Sequence, residues 1–346
     1  MSGFSPGHSS GPLGGLRFFV IGSNSFSGAS FIEYLLGRGA EVVGVSRSPE
    51  AASCFLPHKF QHTASGLARY HFEQMDLNHD SERMIAAIRQ FEPEYVVNFA
   101  AQSMVAESWL HPEHWYQTNV VANVRLFEGL RKLAFLRKYV HVSTPEVYGT
   151  CSGTVTESAP FNPSTPYAAS RAGCDLHLQV LFKNYSFPVA WTRAANVYGP
   201  GQQLYRIIPR TILFVRLGRK LQLQGGGRSV RSFIHIRDVA DGTLRVARHG
   251  KPGEVFHFST DRYVSIRELV ELICTRLGVE FSQTVEVVGD RPGKDAAYLL
   301  DSQKARRALG WSDAVSLDEG IDQTIGWIDE NLDQLKQQPL DYIHKP

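Results

Sequence analysis

The sequence predicts an α/β protein: a doubly wound, mostly parallel sheet with a smaller α/β lobe towards the C-terminus. Three observations predict it. Short apolar runs alternate with helix-period segments from Leu16 to Thr192, as parallel strands buried on both faces require. The first run feeds a glycine turn, Gly22 to Gly28, at the start of a helix. After Pro200 the texture shifts to Gly, Gln and Arg, and an amphipathic helix follows.

Taken in order, Leu16–Ile21 (LRFFVI) reads as a strand and Ala29–Arg38 as a helix stopped by Gly37 and Gly39. Glu41–Val45 completes a strand–helix–strand unit of about 30 residues. Ser81–Phe91, Asn119–Lys132 and Thr165–Asn184 carry helical spacing; Tyr95–Phe99, Lys138–Ser143 and Val189–Thr192 read as strands. Beyond Pro200, Ser232–Ile236 is strand-like and Asp238–Arg248 helical. Ser265–Leu277 places Ile266, Leu269, Val270, Ile273 and Leu277 on one helix face. The expected organisation is a leader over 1–15, a nucleotide-binding domain over 16–198 plus about 232–261, a substrate lobe over 199–231 and 262–335, and a tail over 336–346.

With 346 residues, 36 Lys+Arg against 34 Asp+Glu and 43% hydrophobic residues, the chain can bury a large core and lacks the basic excess of a nucleic-acid binder. Its four cysteines (Cys54, Cys151, Cys174, Cys274) show no CxxC spacing and read as free thiols of a cytoplasmic protein. No apolar run reaches the roughly 18 residues of a membrane span. Among the thirteen histidines, His111/His114, His235 and His257 form no HExxH or paired i,i+4 set, so no metal is expected.

A strand entering a glycine turn at a helix N-terminus suits a pyrophosphate, because unpaired N–H groups and the positive dipole end face the anion. Here the turn is Gly22-Ser-Asn-Ser25-Phe26-Ser27-Gly28, with a hydroxymethyl group at the middle position. The end of the second strand reads Val45-Ser46-Arg47-Ser48, with no carboxylate before Glu50. Arg47 suits a ribose 2′-phosphate, so NADP is favoured over NAD.

Tyr167-Ala-Ala-Ser-Arg171 puts a phenol and a guanidinium one helical turn apart. A fixed cation stabilises phenolate and makes tyrosine a usable base. Ser143-Thr144-Pro145-Glu146 ends a central strand, where doubly wound sheets bind their ligands.

From about Leu16 to Asp329 the chain resembles the extended short-chain dehydrogenase/reductases, close to the nucleotide-sugar 4,6-dehydratases. The resemblance rests on the glycine turn, Asp76-Leu77, Asn98-Phe-Ala100-Ala101-Gln102-Ser103, the Ser143–Gly149 segment, Tyr167 with Arg171, Arg193-Ala-Ala-Asn196-Val-Tyr-Gly-Pro200, Arg231-Ser-Phe, and Arg291-Pro-Gly-x-Asp295-x-x-Tyr298. It implies a Rossmann-like fold and a tightly bound, recycled nicotinamide cofactor. It also implies a nucleoside-diphosphate sugar as substrate and a homodimer built on the helices Asn119–Lys132 and Thr165–Asn184. Tyr167 would take the proton of the sugar 4-hydroxyl as hydride leaves C4; Glu146 would remove the C5 proton; the 6-hydroxyl would leave as water, and hydride would return to C6. The implied cofactor positions are Gly22, Ser25, Phe26, Ser27, Gly28 and Arg47, then Asp76, Leu77, Ala100, Ala101, Gln102, Asn119 and Ser143, with Tyr167 and Arg171. Ser103, Asn196, Arg206, Arg231 and Arg291 would bind the sugar nucleotide, and Lys220–Gln224 matches the stretch that cradles its base.

The chain departs from the family pattern at several places. Pro145 stands where many relatives have aspartate, which passes the general-acid role to Thr144. Arg171 replaces the customary lysine, Met104 a histidine and Ala297 an arginine. A 4-epimerase or a UDP-glucuronate decarboxylase shares much of this constellation, and a non-catalytic nucleotide-binding homologue is a third reading. The C5 base Glu146 favours the dehydratase.

Overall fold

The computed structural model describes residues 13–61, 64–151, 153–289 and 299–346. Its main sheet has seven parallel strands: β1 (Arg17–Ile21), β2 (Glu41–Ser46), β3 (Tyr70–Gln74), β4 (Tyr95–Asn98), β5 (Lys138–Val142), β6 (Val189–Ala194) and β7 (Val255–Phe258), in the order β7-β6-β5-β4-β1-β2-β3. The order reverses between β1 and β4, so their C-terminal ends open a crevice at the switch point.

Strand alternation divides the core. Along β1, Phe18 and Val20 enter one apolar layer with Phe31, Leu35 and Val246. Phe19 and Ile21 enter the opposite layer with Met84, Ile88, Leu126 and Leu178. Helix α1 (Phe26–Leu36), α2 (Ser81–Phe91), α3 (Asn123–Leu130), α4 (Pro166–Tyr185), α5 (Ile207–Arg216), α6 (Ile236–His249), α7 (Ile266–Leu277) and α8 (Leu317–Glu330) are the principal helices. A separate core of Ile208, Ile212, Leu269, Ile273, Ile321 and Trp327 joins α5, α7 and α8. Small sheets flank it: Asn196–Tyr198, Val230–His235 and Tyr263–Ser265 in one, Leu221–Gln224 with Val285–Val288 in another.

Where boundaries differ from the sequence expectation, capping explains most of the shift. Helix α1 begins at Phe26, three residues early, because Ser25 caps it through the N–H of Gly28 (3.1 Å). Helix α6 begins at Ile236 because the His235 ring accepts from the Arg237 N–H (3.3 Å). Ser265 caps α7 in a reciprocal box with Glu268. The expected helix from Asn119 instead opens with a widened π-type turn, Gln117–Ala122, before α3. The Asn123 amide there donates to the Thr118 carbonyl (2.9 Å), competing with the regular backbone ladder.

Candidate functional site

The glycine turn follows directly from its residues. Gly22 has φ 84°, and a Cβ there would lie 2.7 Å from the Ala100 nitrogen. A Cβ on Gly28 would lie 2.2 Å from the Gly22 carbonyl oxygen. Both positions therefore need hydrogen in place of a side chain. The Ser25 hydroxyl donates to that same carbonyl (2.7 Å), so the serine that replaces the middle glycine braces the turn. The first-turn amides at Phe26 and Ser27 belong to the helix end that has no intrahelical acceptors. Close backbone approach plus a positive helix end fits a pyrophosphate, so the chain's residues suit a dinucleotide.

Around this turn, Arg47 at the end of β2 is tied to the Pro346 carbonyl (2.6 Å). The Asp76 carboxylate accepts the Asn78 N–H (2.8 Å), and Leu77 is buried in the core. Ala100 and Ala101 are half-buried and Ser103 exposed. Asn119 is fully buried. Its amide oxygen accepts the Gln102 N–H (2.9 Å), while its nitrogen donates to the Gln102 carbonyl (3.0 Å) and to Ser170 Oγ (2.9 Å). All of these bonds are internal, so Asn119 pins the Gln102 loop to α4.

Thr144 caps a short turn, Pro145–Tyr148, by accepting the Glu146 N–H (3.3 Å). Pro145 occupies its first position, where a fixed φ costs nothing and no N–H is required. The proline that displaces the aspartate thus stiffens the backbone that carries Glu146. Tyr167 is the second residue of α4, after the Thr165 cap and Pro166, at the helix end that favours an anion.

Burial pushes the Tyr167 phenol above its ordinary value, and the Glu146 carboxylate adds to this. The Arg171 guanidinium, a hydrogen bond with Thr144 and the Arg206 cation all pull it back. Arg171 thus favours the phenolate, and desolvation opposes it. Arg171 is 2% exposed, and its guanidinium is anchored on the Val142 carbonyl and on His141 Nε2 (3.2 Å), not on the phenol. Its Nε is buried with no hydrogen-bond partner.

Behind Arg171 lies a buried network that the sequence patterns did not single out. Asp175 is fully buried and accepts from Ser143 Oγ (2.6 Å) and Arg193 Nη2 (2.7 Å). Arg193 also donates to the Tyr148 hydroxyl, which meets His257 Nε2 at 2.7 Å. Burial and the Arg171 charge hold His141 down to about 3, so it is neutral. The available signal was spacing: Asp175 lies two helical turns beyond Tyr167, on the same face of α4. Ser143 consequently spends its hydroxyl on Asp175.

In the second lobe, the Asn196 amide donates to the Ser232 carbonyl (3.1 Å) and Arg231 to the Val230 carbonyl (2.8 Å). Arg206 is exposed, with its guanidinium 5.3 Å from the Tyr205 ring centre. Lys220 precedes the strand Leu221–Gln224. Arg291, Asp295, Ala297 and Tyr298 lie outside the described residues, as does the leader up to Pro12. Among the described residues there is no group of three or more His, Cys, Asp or Glu able to hold a metal, and no helix long and apolar enough to cross a membrane.

Comparison with known proteins gives a concordant result. A family profile described as GDP-mannose 4,6 dehydratase matches residues 19–324. A probable dTDP-glucose 4,6-dehydratase of Sinorhizobium fredii is 31% identical over 333 residues, covering 91% of this chain and 93% of that protein. The crystal structure of the dTDP-glucose 4,6-dehydratase DesIV from Streptomyces venezuelae, which contains NAD, superposes with a TM-score of 0.82 at 32% identity, over 92% of this chain and 98% of that one. A UDP-glucose 4-epimerase from Thermotoga maritima, with UDP-glucose, follows at 25% identity and a TM-score of 0.81, over 92% and 100%.

Proposed function

The chain belongs to the GDP-mannose 4,6-dehydratase family, and on that premise we propose that it converts a nucleoside-diphosphate hexose to the 4-keto-6-deoxy sugar by loss of water. The observation that carries this is the grouping of Tyr167, Thr144 and Glu146: the Glu146 carboxylate and the Thr144 hydroxyl both act on the phenol. A 4-epimerase has no need of a carboxylate beside its tyrosine.

The dinucleotide would be held by the Gly22–Gly28 turn, the Ala100–Gln102 loop and Arg171; when bound, it supplies the hydride acceptor for C4 and the donor for C6. Tyr167 takes the 4-hydroxyl proton. The 4-ketone acidifies the C5 proton, which Glu146 removes. The proton on Tyr167 passes through Thr144 Oγ1 to the 6-hydroxyl, which leaves as water; the proton on Glu146 goes back to C5. Atoms balance, with one water lost and no net oxidation. Arg206, Arg231 and Asn196 are the donors assigned to the substrate's diphosphate, for which arginine's fork is suited.

The Streptomyces relative holds NAD, which makes NAD the resident form favoured here. Arg47, with no acidic neighbour before Glu50, gives a 2′-phosphate a cation to meet, so NADP binding is the accompanying test. The dTDP-hexoses are the first substrates to try, because the relatives carry that name. A homodimer is favoured by α4, whose Leu176 (52%), Val180 (52%) and Tyr185 (59%) stay exposed beside Val121.

The test is incubation with a panel of nucleotide hexoses. Product lighter by one water, about 18 Da, is expected from acid–base elimination; unchanged mass indicates epimerisation. Tyr167→Phe should bind the dinucleotide and lose turnover by roughly 10²-fold or more. Turnover surviving that substitution would overturn the mechanism.

A further inference from the structure

Residues 341–346 lie across the same cleft. Asp341 pairs with Arg210 of α5 (2.9 Å), and the Tyr342 ring packs edge-on against Tyr205 at 5.6 Å. His344 stacks on Trp115 (5.1 Å) and meets His114 Nδ1 at 2.8 Å. The Lys345 carbonyl accepts from Gln102 Nε2 (2.6 Å), and the Lys345 ammonium donates to Ser48 Oγ (3.1 Å). Arg47 Nη1 donates to the Pro346 carbonyl (2.6 Å). Tyr342 and His344 face inwards while Asp341, Ile343 and Lys345 stay exposed. That is the alternation of an extended chain with one face docked.

The segment therefore runs from the second lobe to the tip of β2 and engages both Gln102 and Arg47. These are the groups that flank the phosphate turn on either side in the function proposed above. The turn itself donates nothing to the segment among the described contacts, so phosphate and strap compete only at the flanks.

We propose that residues 341–346 form a displaceable strap that competes with the dinucleotide for Arg47, Ser48 and Gln102 and so lowers cofactor affinity. The inference rests on the dinucleotide reading of the cleft. A site that must first release its own strap binds more weakly by the fraction of time it is free; a strap docked nine-tenths of the time weakens binding about tenfold. Any docking energy is shared among contacts at a partly exposed surface, each worth little alone.

The experiment titrates NADH and NADPH into the full chain, into a chain lacking residues 341–346, and into H344A, read by nicotinamide fluorescence. Leu340 is kept because it packs against the second core. Deletion should tighten NADH binding about tenfold, and H344A should move it in the same direction by less. NADPH should gain at least as much, since Arg47 is the donor released. Hydrogen exchange at residues 341–345 should quicken when NADH saturates the full chain. Equal or weaker NADH affinity after deletion, a gain confined to NADH, or exchange that slows with NADH would each overturn the strap. Failure of both nucleotides to bind all three chains would overturn the dinucleotide reading itself, and the strap's role with it.

Discussion

Replacing Arg171 by methionine isolates the charge that tunes the proposed base. The guanidinium sits one turn from Tyr167, fully buried but anchored on the Val142 carbonyl and His141. Taking a separation of about 8 Å and an effective dielectric near 20, the phenolate–guanidinium attraction is about 2 kcal/mol. That corresponds to roughly 1.5 pKa units, because 1.36 kcal/mol moves a pKa by one. The sign follows: Arg171 favours the charged phenolate, so its loss raises the Tyr167 pKa further. In a pH profile of turnover, the rising limb should move up by about 1.5 units, so the rate at neutral pH falls roughly thirtyfold and recovers at alkaline pH. Arg171→Lys, which keeps the charge, should return the limb most of the way. Thermal melts of both variants, expected to match the parent, are the check that the fold is retained. A limb that stays in place, or a loss equal at every pH, would refute the electrostatic role assigned to Arg171.

Two further outcomes bear on separate groups. Glu146→Gln should abolish deuterium incorporation at C5 from heavy water and lower product formation by roughly 10²- to 10⁴-fold; it should also leave Tyr167 easier to ionise, since the Glu146 carboxylate now opposes this. Exchange at C5 at the normal rate would remove Glu146 from the mechanism. Asp238 is buried, accepts the Val315 N–H (3.1 Å), and is pushed up to about 6 by desolvation. A carboxyl raised on folding is fully tolerated below its unfolded pKa and weakens the fold as pH rises towards about 6. Asp238→Asn should therefore gain up to about 3 kcal/mol on the parent between pH 4 and pH 7.5, read by urea unfolding. A gap that does not change with pH would contradict it.

Five of the seven strands were legible as short apolar runs with helices between them, whereas the two edge strands, Tyr70–Gln74 with its alternating polar residues and Val255–Phe258, were not read. The turn was legible from Gly22 and Gly28 within their strand–turn–helix–strand context, and the structure shows that both positions exclude a Cβ. Helix starts were placed less well, as caps such as Ser25 and His235 act through side chains that periodicity ignores. Tyr167 and Arg171 stood out by their helical spacing, whereas Thr144 and Glu146 were marked by their place at the end of a strand and by the family resemblance. The Asp175–Arg193 pair was missed, since its partners come from α4 and β6, brought together only by tertiary packing. Arg47 and Gln102 were expected to face a ligand, yet both bond to residues some 240 to 300 positions away, a pairing no local pattern encodes.

The Asp175–Arg193 pair also constrains how this chain can change over generations. Both side chains are at most 1% exposed, so losing either one strands the other's charge in the interior, at a cost of about 3–5 kcal/mol. Swapping both for well-packed apolar groups can be neutral. Single substitutions here lie in a fitness valley whose far side is reachable only by two coordinated steps. Descendants of this chain should therefore keep the pair or lose it whole, so its two positions would vary together even if neither ever touches a substrate.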